Sequence, residues 1–111
     1  MANTFKNAKA VDVSNSSAAT IYTVPSSTTT ILLGLTIANK NAAARTVTVT
    51  WTDGSDSNNP ATLLNEVSIP GDTTLEVFAG QKIVLMTTDA LKILASAASS
   101  IDATASYMEI T

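Results

Sequence analysis

Between Arg45 and Asp53 the chain reads "RTVTVTWTD", with Val47, Val49 and Trp51 at one parity and Thr46, Thr48, Thr50 and Thr52 at the other. Successive side chains of an extended strand point to opposite faces, so a strict period of two marks a half-buried β-strand and would scatter its apolar groups around a helix. Upstream, "TILLGLTIAN" places Ile31, Leu33, Leu35 and Ile37 on one face and Leu32 and Gly34 on the other. The short polar connection "NKNAAAR" between the two segments predicts a hairpin. Val11 and Val13 mark a strand near the start. "ATIYTV", "TLLNEVSI", "TLEVF", "KIVLM", "ALKILAS" and "IDATASYMEI" supply the rest. In the last of these, Ile101, Ala103, Ala105 and Tyr107 alternate but Met108 and Ile110 change parity, so a β-bulge is expected near Tyr107. Short strands separated by turns every 8–12 residues or so predict an all-β antiparallel β-sandwich of about eight strands, jelly-roll-like or Ig-like. Residues 1–111 are read as one domain, with residues 1–10 as a candidate arm packing on a neighbour.

The residue inventory agrees. Of 111 residues, 18 are Thr and 12 Ser, and 17 of the apolar residues are Ala, so large core side chains are few. Thr, Val and Ile are stiff at χ1 and suit a pleated surface. The net charge is −3, and the six Lys and Arg are scattered, which provides no basic stripe for phosphates; no nucleic-acid partner is expected. The aliphatic run at Ile31–Leu33 is far too short to span a bilayer, so no membrane partner is expected either. "MANTFKNAKA" has no apolar signal core, and without cysteine there is no disulfide frame or thiolate zinc site. Synthesis in a cytoplasm is the expectation.

Two of the three prolines sit in one repeated phrase, "TVPSSTT" at 23–29 and "SIPGDTT" at 68–74. Proline cannot donate to a central ladder and belongs at strand ends, and the small polar residues after it turn the chain. The repeat is read as one structural corner used twice, once in each half of the sandwich.

These corners also carry a family resemblance. The "IYTVP" stretch, the "LTIAN" strand, "VTVT" followed by "TDGS", the corner "IPGDTTLEV" and the final "EIT" resemble small structural proteins of tailed-phage virions, the marine and cyanobacterial phages in particular. The likeness covers nearly the whole chain. It implies a β-sandwich that joins a virion as a decoration, cement or tail-associated subunit, with the major capsid protein or other virion proteins as partners.

The residue types exclude most chemistry. With no His and no Cys, neither Ser–His–Asp nor Cys–His sites can form, and the four glycines are not spaced as a phosphate loop. No catalytic residue, cofactor or metal is expected. The segment Asp53–Asn59, "DGSDSNN", offers oxygen ligands but lacks the glutamate that closes an EF-hand loop, so it reads as a solvated turn. Trp51 shares its parity with Val47 and Val49 and is expected in the core.

Assembly is the remaining signal. The strands near 31–37 and 63–69 carry aliphatics at both parities, whereas an open sandwich buries one face of each sheet. Charged residues make up 14% of the chain, against about 25% in typical domains. Edges and faces so lightly charged are open to pairing. Candidate contact residues are Phe5, Tyr22, Leu32, Leu64 and Tyr107. Phe5 is either an anchor on a neighbouring subunit or folded back on its own core. The expectation is a non-enzymatic, homo-oligomeric capsid decoration or cement subunit of the virion, with a trimer suggested only by capsid symmetry. The alternatives are a tail or neck subunit, or a carbohydrate-binding module with Trp51 or a Tyr22–Tyr107 platform exposed.

Overall fold

The computed structural model describes residues 2–111. The strands are β1 (Asn3–Ala10), β2 (Ala19–Thr23), β3 (Thr29–Asn39), β4 (Arg45–Asp53), β5 (Asn59–Ile69), β6 (Thr74–Glu76), β7 (Ile83–Leu85), β8 (Ala90–Ala95) and β9 (Ile101–Ile110). A single 3-10 turn at Gly54–Asp56 joins β4 to β5. A five-stranded sheet runs β1-β9-β3-β6, with β7 also on β3, and faces a four-stranded sheet ordered β2-β8-β4-β5. All pairings are antiparallel. The chain changes sheet at nearly every connection, and among the described residues β4–β5 is the only pair of consecutive strands that hydrogen-bond to each other. That order is a jelly roll, which decides between the two sandwich types expected.

Leu35, Ile37, Ile101, Ala103 and Ala105 of the larger sheet and Val47, Val49, Leu91 and Ile93 of the smaller form a shared buried cluster. Fully burying one such aliphatic side chain contributes about 1.5–3 kcal/mol.

Both proline corners lead from the four-stranded to the five-stranded sheet, the first from β2 to β3 and the second from β5 to β6. In each, the residue two after proline is left-handed, Ser27 at φ 53° and Asp72 at φ 56°. In each, the threonine three after proline donates its hydroxyl back into the corner: Thr28 to the Ser26 carbonyl at 2.9 Å, and Thr73 to the Pro70 carbonyl at 2.7 Å. The copies differ at the middle position for a steric reason. A Cβ on Gly71 would lie 2.0 Å from the Ala42 carbonyl oxygen, so only glycine fits there, while the exposed Ser26 has room for its side chain.

Three local expectations need correction. β3 and β4 are not a hairpin, because they lie in opposite sheets and residues 40–44 cross between them. The buried Asn39 holds that crossing by donating its amide to the carbonyls of Ala43 and Ile69, both at 3.0 Å, and accepting from the Asn41 N–H at 3.0 Å. The bulge near Tyr107 lies not in β9 but in the strand opposite. Leu32 pairs with Tyr107 and Gly34 with Ser106, so Leu33 is the extra residue. That insertion turns Leu32 inward together with Leu35 and Ile37, and leaves Leu33 half-buried. β9 keeps unbroken alternation, with Glu109 inward and Met108 and Ile110 toward the outside. Finally, the first strand is not at Val11 and Val13. Residues 3–10, the candidate arm, run along β9 of the same chain, while Val11 is exposed and Val13 is buried in the following loop.

Candidate functional site

The outer face of the five-stranded sheet carries an apolar row set by register. Phe5 of β1 opposes Met108 of β9, Met108 opposes Ile31 of β3, and Ile31 opposes Val84 of β7. Four strands at the usual spacing make this row about 14 Å long. Its ends are open to solvent, Phe5 at 73% and Val84 at 55% exposure, and Met86 just beyond β7 is 57% exposed. Half-buried Ile110 and Leu33 flank it. Further along the same strands the facing residues turn polar, Asn7–Ser106–Gly34 and then Lys9–Thr104–Thr36. The apolar band is therefore confined to one end of the sheet. Between the two open ends of the row, Met108 and Ile31 are half-buried.

A polar network lies beneath it. The Tyr22 hydroxyl donates to Glu109 at 2.5 Å and lies 2.8 Å from Thr30 Oγ1. Tyr22 has one proton to give, so the Thr30 hydroxyl donates to the tyrosine oxygen. Lys6 Nζ of β1 reaches the same Glu109 carboxylate at 2.9 Å, and the Glu109 side chain is only 8% exposed. The Tyr22 O–H, and then Lys6, hold the Glu109 carboxyl below the ordinary glutamate range. Loss of solvation, reinforced by Glu109, pushes the Tyr22 hydroxyl up, and Glu109 raises Lys6. Tyr107 stacks on Tyr22 with ring centres 4.0 Å apart at 35°. One buried carboxylate thus pins β1 to β9 directly under Phe5. An open depression of about 270 Å³ beside it is lined by Phe5, Lys6, Asn7, Leu33, Ser106 and Tyr107.

The structure separates the candidate contact residues. Tyr22, Leu32 and Tyr107 are 8%, 0% and 5% exposed, so they are core groups of the chain itself, which corrects their reading as surface contacts. The bulge at Leu33 accounts for Leu32, and the partners of the Tyr22 hydroxyl account for the tyrosine pair. Leu64 is half-buried on the doubly shifted edge strand β5. Phe5 stands on the outer face. Trp51 is partly buried against the core, so of the five aromatic residues only Phe5 presents an open ring, and no aromatic platform for a sugar exists at Tyr22–Tyr107.

Five of the other eight carboxylates have hydrogen-bond or ion-pair partners. Asp53 accepts from the Ser55 N–H at 3.0 Å and the Ser55 hydroxyl at 2.6 Å, and Asn59 donates to Asp56 at 3.1 Å. Buried Asp89 accepts from the N–H groups of Gly54 and Met86. Asp12 and Asp102 share Lys40. Among the described residues no group of three or more His, Cys, Asp or Glu is placed to hold a metal ion, and no helix is long and apolar enough to cross a membrane. Sequence reasoning missed Ile31, Val84, Met86, Met108, Lys6 and Glu109. The available signal was the parity change at Met108 and Ile110, which marks an apolar outer face.

No protein-family model and no curated protein sequence matches the chain. Among solved structures it is similar, at 11% identity and a TM-score of 0.58, to a chain of the infectious bursal disease virus particle; the match covers 96% of this chain and 30% of that one. A subviral particle of the same virus matches at 11% identity and 0.50, covering 96% and 32%. A subunit of Bacillus endospore appendages, described as disulfide-linked pili, matches at 14% identity and 0.58, covering 98% of this chain and 88% of that one. At these identities the likeness is one of fold. The chain spans about a third of the viral chains it matches.

Proposed function

We propose that this chain is a non-enzymatic structural protein of a tailed-phage virion, a homo-oligomeric decoration or cement subunit that bridges neighbouring copies of the major capsid protein. The observation that carries the reading is the apolar row Phe5–Met108–Ile31–Val84 on an outer sheet face. A protein that worked alone in water would be expected to cover it. Two further points support the reading: a similar fold occurs in subunits of a viral particle and of a pilus, and the buried carboxylates Glu109 and Asp89 serve structural partners. The disulfide linkage named for the pilus subunits has no counterpart here, because the chain contains no cysteine.

The mechanism is mass action. A subunit that binds the assembled lattice and not its separated parts stabilises the lattice by its binding free energy. Many copies acting at once multiply a modest contribution of a few kcal/mol per site. The test is to place an epitope tag in the exposed turn at residues 55–58 and image labelled particles. Label spread over the head is expected. Label confined to the tail or neck would favour the tail-associated reading, and absence of the chain from purified particles would end both.

A further inference from the structure

We infer that β1 is a pairing edge for a second copy of this chain, joined antiparallel about a twofold axis at Phe5. Ala2 and Thr111 exchange both backbone hydrogen bonds, at 3.2 and 3.0 Å. Hydrogen-bonded and non-hydrogen-bonded positions alternate along an antiparallel ladder, so Thr4, Lys6, Ala8 and Ala10 also turn their backbone groups to β9. Asn3, Phe5, Asn7 and Lys9 turn theirs to the open side. This edge offers four donor–acceptor pairs over eight residues without a proline or a register shift.

The other edges are blunted. β5 contains Pro60, shifts register twice and holds Glu66 at φ 49°. β2 is five residues with a shift between Thr20 and Tyr22, and β6 and β7 are three residues each. Lysine is a usual guard of an open edge, but here Lys6 is drawn inward onto Glu109, which leaves Lys9 alone.

A twofold partner must hydrogen-bond through the odd-numbered residues, and keeping at least three such residue pairs within β1 places the axis at Phe5, Lys6 or Asn7. At Lys6 two ammonium groups would oppose each other directly, a destabilising arrangement. At Asn7 each Lys9 would be placed at the end of the partner's apolar row. At Phe5 the two exposed rings cover each other, Asn3 meets the partner's Asn7, and no like charges oppose. The two rows then fuse into one band of eight apolar residues, Val84–Ile31–Met108–Phe5 and its mirror sequence, across one continuous sheet. A contact of this kind uses the same surface on both copies and closes as a dimer.

This deepens the reading of the chain as a self-associating subunit, but it is tested on the isolated protein, apart from any virion. Hydrogen-bonded antiparallel partners sit about 5.5 Å apart at Cα, a separation that suits a disulfide. Mild oxidation should therefore link Phe5→Cys into covalent dimers and leave Asn7→Cys monomeric on a non-reducing gel, with no native cysteine to interfere. Light scattering of the unmodified chain should report a dimer, and Phe5→Lys should weaken it by roughly tenfold or more while circular dichroism stays unchanged. A monomer at high concentration, a trimer, or cross-linking through Asn7→Cys in preference to Phe5→Cys would overturn the proposal.

Discussion

The two sheets of this sandwich share a core but treat their outsides differently. The four-stranded sheet turns Thr46, Thr48, Thr50, Lys92 and Leu94 outward, none of them fully exposed, and its edges are short or bulged. The five-stranded sheet turns an apolar row outward, holds a buried carboxylate under its first strand, and leaves that strand regular along its open side. An all-β chain can therefore blunt the edges of one sheet and leave a regular open edge on the other. The devices that distinguish them are single residues: an extra leucine in β3, a left-handed glutamate at the register shift of β5, one lysine drawn inward.

The largest expected effect concerns the bulge that sets the two faces of β3. Leu32→Ala should cost about 2–5 kcal/mol in chemical denaturation, the range for a fully buried leucine, and Leu33→Ala less than half of that. Equal losses would break the assignment of Leu33 to the outer face. Next come the corners that join the sheets. Gly71→Ala should destabilise by about 1–3 kcal/mol because its Cβ meets the Ala42 carbonyl, whereas Ser26→Ala at the matching position should be nearly silent.

Acid should separate the sheets. The folded-state pKa of Glu109 lies below its ordinary value of 4.5, so its contribution to stability is complete above that value and is lost as pH falls through the lower, folded one. Hydrogen exchange at pH values below 4.5 should release the β1 and β9 amides before those of β4 and β8, and Glu109→Gln should weaken the pH dependence of that order, leaving the part that Asp102 of β9 contributes. Loss of β8 protection first would contradict it. The smallest effects belong to the left-handed corner positions. Ser27→Gly and Asp72→Gly trade relief of backbone strain against unfolded-state entropy and should each shift stability by at most about 1 kcal/mol, measurable as midpoint changes in urea.

The class of fold was legible because Thr–Val alternation from residue 45 to 53 admits only a strand, and the proline phrases were legible as corners because proline and left-handed turns leave local marks. The inside–outside assignment of β3 was not legible, since one inserted leucine reverses parity without altering composition. The crossing at residues 40–44 was hidden for another reason. A short polar loop looks like a hairpin until Asn39 is seen reaching the Ile69 carbonyl thirty residues away. The apolar row was hidden for the same reason, because Phe5, Met108, Ile31 and Val84 become neighbours only through pairings that no local pattern encodes. Only the parity change at Met108 and Ile110 hinted at it.

The hydrogen bonds between Ala2 and Thr111 bring the two ends of the described chain side by side at one end of the β1–β9 ladder. A pull applied through both ends would open that ladder one pair at a time, like a zip, and would meet little resistance. A load entering across the broad faces would instead strain many pairs together. Mechanical toughness in this molecule is therefore directional, weakest along the line joining Ala2 and Thr111 and greatest across its flanks.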